Sequence, residues 1–394
     1  MILYATIFAL AVSLYIAVRA IAPLRVHAAV KVLLLLLTLI AAFKFHILYM
    51  IEGENFFTPA LPPAVVWSGC WLFCAVTGYA LFLLAADIVR LPLYLGLWLI
   101  RKRRPGETWR SLSQAFNLSL LLLIMGLTAH GTYSGTVAPQ VTQVHIKLPH
   151  MPASAAPLRL VQLSDLHADS TKNADFYRDI VERTNALKPD IVLITGDLAD
   201  GPATVFGKAL EPLADLDSPL GVYAVTGNHD CFHGTKEWLA YLRGLGVTFI
   251  DGEVISLSTE LEGGIRKELR LIGVPDPIMS HSGMSRPSLS ELTSDIKERS
   301  VPTVLLAHRP NTAAEAAQYP IDLQLSGHTH GGQFPGLQQM VARMNGGYVY
   351  GLYRVGDMQL YVSPGTSLWT PVCLRIGVPP EITLITLQPA AAEK

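Results

Sequence analysis

Apolar positions run almost unbroken along the first third of the chain, whereas beyond residue 157 they come in short bursts between polar ones, and the two patterns predict different kinds of structure. Ile2 to Ala22, Val32 to Met50, Ala64 to Ala86 and Ala115 to Gly131 each approach the roughly 20 residues that a bilayer-spanning helix needs. A helix packed on a soluble core shows a polar face every turn, and these runs do not. The pattern predicts an α-helical membrane domain over residues 1–133 with about four transmembrane helices. From Leu158 onward, Val-, Ile- and Leu-rich strands alternate with helical periods, which predicts an α/β domain over 158–388. One such period, Asn173 to Leu187, carries Phe176, Ile180 and Val181 at helical spacing and stops at Lys188 and Pro189. Residues 134–157, rich in proline and small side chains, read as a linker.

Charge adds an orientation. No basic stretch precedes Ile2 and three more spans follow, so the first run is expected to be a retained helix rather than a cleaved signal. The first loop carries Arg19, Arg25 and Lys31; the third carries Arg90, Arg101, Lys102, Arg103, Arg104 and Arg110; the second has Glu52 and Glu54 and no cation. Basic loops stay in the cytoplasm, which places both termini and everything after Tyr133 on the outer side of the cytoplasmic membrane. Leu91 to Ile100 is too short to span and is expected along the inner surface with Trp98 at headgroup depth; were it to cross, the orientation would flip. The apolar excess, 51% hydrophobic against 15% charged, is concentrated in these helices. The net charge of −1 argues against a nucleic-acid partner. Cys70 and Cys74 share a face of the third run and read as small packing residues, while Cys231 and Cys373 lie in the soluble part, where an oxidising compartment lets them pair.

The strands of the soluble part share an ending. "LRLVQLS" runs into Asp165, Leu166 and His167; "DIVLIT" into Gly196 and Asp197; "GVYAVT" into Gly227, Asn228, His229 and Asp230; "TVLLA" into His308; "IDLQLS" into Gly327, His328, Thr329 and His330. An Asp or Asn after one strand is usually a turn former or helix cap. Five such endings point to the carboxyl edge of an α/β sheet, where active sites collect. Gly196, Gly227 and Gly327 are expected to let the backbone turn just before each ligand, and Gly331 and Gly332 to let it turn away.

Asp165, His167, Asp197, Asn228, His308, His328 and His330 are too many ligands for one tetrahedral zinc, and closed structural zinc sites usually recruit thiolates. They suit two ions roughly 4 Å apart sharing a carboxylate, an arrangement that clamps a phosphoryl group and generates hydroxide near neutral pH. Oxygen and imidazole donors together favour manganese, with iron or zinc as alternatives, over calcium or magnesium. The chain has no phosphate-binding P-loop, no nucleophile elbow and no arginine six residues beyond Cys231 or Cys373, which excludes the corresponding phosphatase mechanisms.

The series D-x-H, G-D, G-N-H-D, a single His and G-H-T-H, in order over Asp165 to His330, resembles the calcineurin-like metallophosphoesterase superfamily. "LSGHTHGGQ", "GLYRVGDMQLYVSPG" and "GVPPEITLITL" are similar to its bacterial branch containing YkuE and YaeI, and the added helices to transmembrane proteins with a metallophosphoesterase domain. The resemblance implies a four-layer α-β-β-α sandwich, with "RKELRLIGV", "MQLYVS" and "EITLITL" in the second sheet. It implies one metal on Asp165, His167 and His330, a second on Asn228, His308 and His328, and Asp197 bridging them. It further implies that His229 contacts the phosphate and protonates the leaving oxygen, with Asp230 orienting its ring. His308 is followed here by Arg309 and Pro310, where the branch often has an acidic or amide middle residue; Arg309 reads either as a solvated charge or as a second phosphate contact.

The expected activity is hydrolysis of a phosphomonoester, phosphodiester or pyrophosphate of a lipid or envelope-related substrate, by attack of metal-bound hydroxide. A cytoplasm-facing nucleotide-lipid pyrophosphatase of the UDP-diacylglucosamine type is the alternative. A non-catalytic binding scaffold is a third reading, against which the complete ligand set counts. Sequence leaves the oligomeric state open.

Overall fold

A computed structural model of the chain describes residues 2–101, 107–232, 234–260, 266–283, 285–297 and 299–390. The chain divides into two compact units, one of Met1–Ser134 with Thr370–Leu374 and the other of Gly135–Trp369 with Arg375–Lys394.

The first unit holds α1 (Ile2–Ile16, running on as a π-helical turn to Ile21), α2 (Ala28–Ala42), α3 (Lys44–Glu52), α4 (Pro63–Arg101) and α5 (Glu107–Ser134). Among the described residues three stretches, Leu3–Ile21, Pro63–Pro92 and Ser111–Ser134, are long and apolar enough to cross a membrane, and α2 with α3 supplies a fourth if that bent pair is one span. The expected span Val32 to Met50 is thus broken, with a bend of 62°. Lys44 sits at the break, in the middle of an apolar run, where a cation must find protein partners. Its ammonium donates to Pro371 O at 3.1 Å and lies 4.4 Å above the Phe45 ring, within the same unit. Leu91 to Ile100 does not form a separate surface helix but continues α4 through Pro92 to Arg101. The Trp98 side chain and residues 102–104 of the basic cluster lie outside the described residues. Two of the loop cations are already engaged: Arg19 Nε donates to Asp87 at 2.6 Å and Arg90 lies 3.6 Å from the same carboxylate.

The second unit is two six-stranded sheets face to face with helices outside. Its strands are β1 (Gln140–Leu148), β2 (Leu158–Leu163), β3 (Ile191–Thr195), β4 (Val222–Val225), β5 (Val247–Phe249), β6 (Val254–Glu260), β7 (Arg266–Val274), β8 (Thr303–Ala307), β9 (Leu323–Ser326), β10 (Gly351–Val355), β11 (Met358–Val362) and β12 (Glu381–Pro389). The sheet orders are β1-β12-β2-β3-β4-β5 and β10-β11-β9-β8-β7-β6. In β2, Leu158 and Leu160 pack between the sheets, whereas Val161 and Leu163 pack outward with Tyr177 and Ile180 of α6 (Ala174–Ala186). Burial on both faces is why these strands read as continuous apolar runs. Ile272, Leu305 and Ala307 cover the far side of the second sheet with Ala313 and Ala316, completing the helix, sheet, sheet, helix layering. α6 starts where Asn173 accepts from Phe176 N and ends before Lys188, whose φ is 47°.

Two expectations change. "EITLITL" is not in the second sheet: β12 lies in the first, antiparallel to β2 and parallel to β1. Ile382 and Leu384 face the outer helices and Ile385 and Leu387 face the other sheet, so only an interior position covers both sides. The expected linker contains β1, whose residues Ile146 and Leu148 are buried where they pair with β12.

Candidate metal centre

β2, β3 and β4 are parallel neighbours, so their carboxyl ends open on one edge, and the chain continues to pair beyond them. Asp165 N donates to Gly196 O, His167 N to Asp197 O and Ala168 N to Leu198 O, each at 3.0 Å. These bonds carry the two ligand-bearing turns side by side. Asp165, His167, Asp197, His328 and His330 all adopt positive φ, between 46° and 71°. Left-handed backbone at a non-glycine residue costs of order 1–3 kcal/mol, and it recurs at binding sites because surrounding contacts hold it. Gly196 does turn the backbone, at φ 90°. Gly227 and Gly327 serve another purpose, close approach: a Cβ at Gly227 would overlap the Asp197 carboxylate, and one at Gly327 would overlap Ser164 Oγ and Asp165 Oδ2.

Among the described residues the expected ligands converge in two groups, Asp165 with His167 and His330, all buried, and Asp197 with His308 and the half-buried His328. In the first, His167 Nε2 lies 3.2 Å from His330 Nε2 and 3.8 Å from Asp165 Oδ1. Asp197 stands between the groups, its Oδ2 3.9 Å from His167 Nε2 and 3.1 Å from His308 Nε2. Hydrogen bonding fixes two of the tautomers. His308 Nδ1 lies 2.7 Å from the Thr195 carbonyl and His167 Nδ1 lies 2.9 Å from Asp200 Oδ2. Each Nδ1 therefore carries a proton, which leaves each Nε2 as the atom able to ligate a cation. Asn228 Oδ1 is buried without a hydrogen-bond partner, and His308 Nε2 faces only the Asp197 carboxylate, 3.1 Å away. Buried acceptors facing acceptors are unfavourable unless a cation sits among them, so the donor set fits divalent metal. Burial pushes the Asp165 carboxyl up and, with the charge on His308, pushes His328 down to about 3, whereas burial at His308 is outweighed by Asp197, which raises it to about 10, so that a proton on His308 Nε2 stands where a cation would. Asp197 is held well below the usual range, since His308 and His229 outweigh its burial.

His229 stands beside this cluster, its ring 4.9 Å from that of His167. Its Nδ1 lies 2.7 Å from Asp200 Oδ1, so one carboxylate holds two imidazoles. Burial opposes a charge on His229, but Asp200 and Asp197 outweigh it and raise its pKa to about 9. The residue expected to orient that ring, Asp230, does not. Its carboxylate instead accepts the backbone N–H groups of Asp197, Leu198 and Gly227 at 2.8–3.0 Å, tying the second and third strand ends together. Adjacent residues project to different sides of the tight turn His229–Cys231, which is why the neighbour in sequence is not the neighbour in space. Arg309 is neither free nor aimed at the centre, because its guanidinium is paired with buried Asp276 at 2.5 Å.

Three further side chains support the site and were not singled out from sequence. Asp200 follows Asp197 by three residues, and the spacing G-D-x-x-D was its one local signal. Lys172 donates to His167 O at 3.0 Å and to Asp169. Arg375, fully buried, donates to the carbonyls of Pro364 and Ser367. Those residues belong to a turn whose Thr366 and Ser367 amides bind Ser164 O and Asp165 O, and no local pattern marks that arrangement.

The sequence profile of the calcineurin-like phosphoesterase family matches residues 158–332. A Helicobacter pylori protein named as an uncharacterized metallophosphoesterase is 33% identical over 283 residues, covering 71% of this chain and 72% of its own. A Bos taurus transmembrane protein with metallophosphoesterase domain is 34% identical over 303 residues, covering 73% of this chain and 67% of its own. The Bacillus subtilis protein named as the uncharacterized metallophosphoesterase YkuE is 31% identical over 255 residues, covering 63% and 85%.

Proposed function

The chain belongs to the calcineurin-like metallophosphoesterase family, and from that membership we propose that it hydrolyses a phosphomonoester, phosphodiester or pyrophosphate of a lipid or envelope-related substrate, anchored in the cytoplasmic membrane with its hydrolytic unit outside. Proteins of this family are metal-dependent phosphoester hydrolases that use two divalent ions. The observation that carries the reading is the placement of the Asp197 carboxylate between two groups of inward-facing acceptors.

Asp165, His167 and His330 would hold one ion, Asn228, His308 and His328 the other, and Asp197 both; manganese suits these donors best. Ions held there supply a nucleophile near neutral pH and offset the charge that develops on the phosphoryl group. His229 is the proton donor: Asp200 fixes its Nδ1, which leaves Nε2 to protonate the departing oxygen. Asp230 keeps the backbone on which Asp197 and Asn228 sit from separating.

The outward orientation gains support from two features. α4 runs as one helix to Arg101, and a segment that recrossed the membrane would need a reversal of the chain. Cys70 pairs with Cys373, so neither reads as a packing residue or as a partner for Cys231, whose thiol donates to Ile278 O at 3.8 Å. Disulfides persist outside the cytoplasm and are rare within it, which counts against the cytoplasm-facing pyrophosphatase.

The test is hydrolysis of a generic aryl phosphodiester by the solubilised protein. Activity should require divalent metal, disappear with a chelator and disappear in Asp197→Ala and His229→Ala. Protein that binds no metal at micromolar manganese would instead be a scaffold.

A further inference from the structure

Lys44 carries a charge inside the helical unit without a counter-ion. It is 9% exposed at the break between α2 and α3, and among the described residues no carboxylate pairs with it. Its ammonium has three protons and one carbonyl to receive them, Pro371 O at 3.1 Å. The rings of Phe45 and Phe73 lie 4.4 and 4.9 Å from it, and the Cys70 sulfur 3.9 Å. A carbonyl, a sulfur and two rings make burial of the cation tolerable but leave its charge uncompensated. Ionisable side chains within membrane spans commonly mark the place where a charged ligand is held.

The same lysine lines a cavity of about 190 Å³, together with Pro371, the residue that its ammonium binds. Every residue around that cavity belongs to the helical unit. Away from this polar end the walls are largely apolar and include Phe45, Phe56, Phe57 and Val66. The three phenylalanines also border a second cavity, of about 360 Å³, so apolar space continues beyond the first. They brace one another, with ring centroids 5.6 Å apart for Phe45 and Phe57 and 4.1 Å apart for Phe56 and Phe57.

We infer that this cavity holds an anionic lipid, with its phosphate or carboxylate beside Lys44 and an acyl chain among Phe45, Phe56 and Phe57. The site is separate from the metal centre, and the inference does not rest on the proposed hydrolysis. Charge complementarity selects the head, because a zwitterionic lipid brings no net negative charge to the lysine. The walls select the tail, because a small soluble anion would leave the phenylalanines without an apolar neighbour. The bilayer is the source: the cavity is walled by α4 and by the bent pair α2 and α3, stretches long and apolar enough to cross it.

The experiment titrates full-length protein, purified in neutral detergent, with dioleoyl phosphatidylglycerol and dioleoyl phosphatidylcholine, and counts bound lipid by native mass spectrometry. Both lipids have the same acyl chains, so the ratio of their affinities reports the charge of the head. The wild type should prefer phosphatidylglycerol by about fivefold. That preference should fall toward one in Lys44→Met and survive in Lys44→Arg. Val66→Phe fills the cavity and keeps the cation, so it should weaken both lipids together, by about tenfold. Oleate bound with the same dependence on Lys44 puts a carboxylate in place of the phosphate and supports the inference equally. A wild-type ratio of one overturns it. So does a ratio that Lys44→Met leaves intact, as a purely structural lysine would, whatever that variant does to the unfolding temperature. Should Lys44→Met fail to fold, binding unchanged in Val66→Phe overturns the inference by itself. Hydrolysis of an aryl phosphodiester by the same protein is a separate readout, so the proposed function stands or falls independently.

Discussion

Asp200 is the residue on which two imidazoles depend, since each of its oxygens faces one Nδ1. In Asp200→Asn the amide must present a donor to one ring, which forces that ring into its other tautomer. Supporting carboxylates of this kind are worth about 10–100-fold in activity or metal affinity. We expect a loss of that size in turnover of an aryl phosphodiester, with metal per chain measured in parallel; activity within about twofold of wild type would remove Asp200 from the machinery. A second residue-scale prediction concerns Asp251, away from the ligands. Its carboxylate accepts from Thr226 N and Oγ1, and burial raises its pKa to about 6. The folded state therefore holds the proton more tightly than the unfolded chain. The stability this gives is present below the ordinary carboxylate range and is lost as pH rises through about 6, by at most about 3 kcal/mol. The unfolding midpoint of Asp251→Asn relative to wild type should thus climb between about pH 4 and about pH 8, and an offset equal at both ends would refute the assignment.

Strand ends show how far local sequence reaches. The five apolar runs and their polar endings were readable because strand period and turn chemistry are encoded within a few residues, and the same runs appear as β2, β3, β4, β8 and β9. Pairing is a non-local property, so the local pattern does not say that β12 joins the first sheet or that a strand, β1, lies within 134–157. The bend at Lys44 and the role of Asp200 were hidden for the same reason: each depends on a partner distant in sequence or turned away from it, Pro371 in one case and two histidines in the other. Glycines at the strand ends were readable as necessary, but not for the right reason at Gly227 and Gly327, where contact rather than torsion excludes a side chain. Gly327→Ala tests that distinction. Its methyl would push on Ser164 and on the Asp165 carboxylate, so it should lower metal content and activity together. Overpacking of this sort costs about 1–3 kcal/mol. Gly246, at φ 86° with open space around it, makes the contrast: Gly246→Ala should cost stability through torsion alone and leave metal content unchanged.

At the scale of the molecule, sidedness decides which substrates the centre can meet, and the basic loops do not determine it alone. Arg19 and Arg90 are engaged by Asp87, which weakens them as topological signals, and the cluster at 101–104 carries more of that argument. The Cys70–Cys373 disulfide provides an independent reading, because Cys70 lies seven residues into the apolar stretch Pro63–Pro92 and so about 10 Å of helix from its amino end. That end is the outer one under the positive-inside orientation, and Cys373 belongs to the segment that returns to the same unit. In the reverse orientation the pair would sit near the cytoplasmic face, where thiols are kept reduced. Alkylating intact cells before lysis and comparing reduced with non-reduced gels should therefore show an oxidised pair in the wild type, with Cys70→Ala and Cys373→Ala migrating as the reduced chain. Closing a loop this long is worth roughly 2–4 kcal/mol, so both variants should also unfold at lower temperature. Four alkylated thiols in wild-type protein taken from growing cells, instead of the two that Cys74 and Cys231 supply, would turn the hydrolytic unit inward and restore the nucleotide-lipid pyrophosphatase.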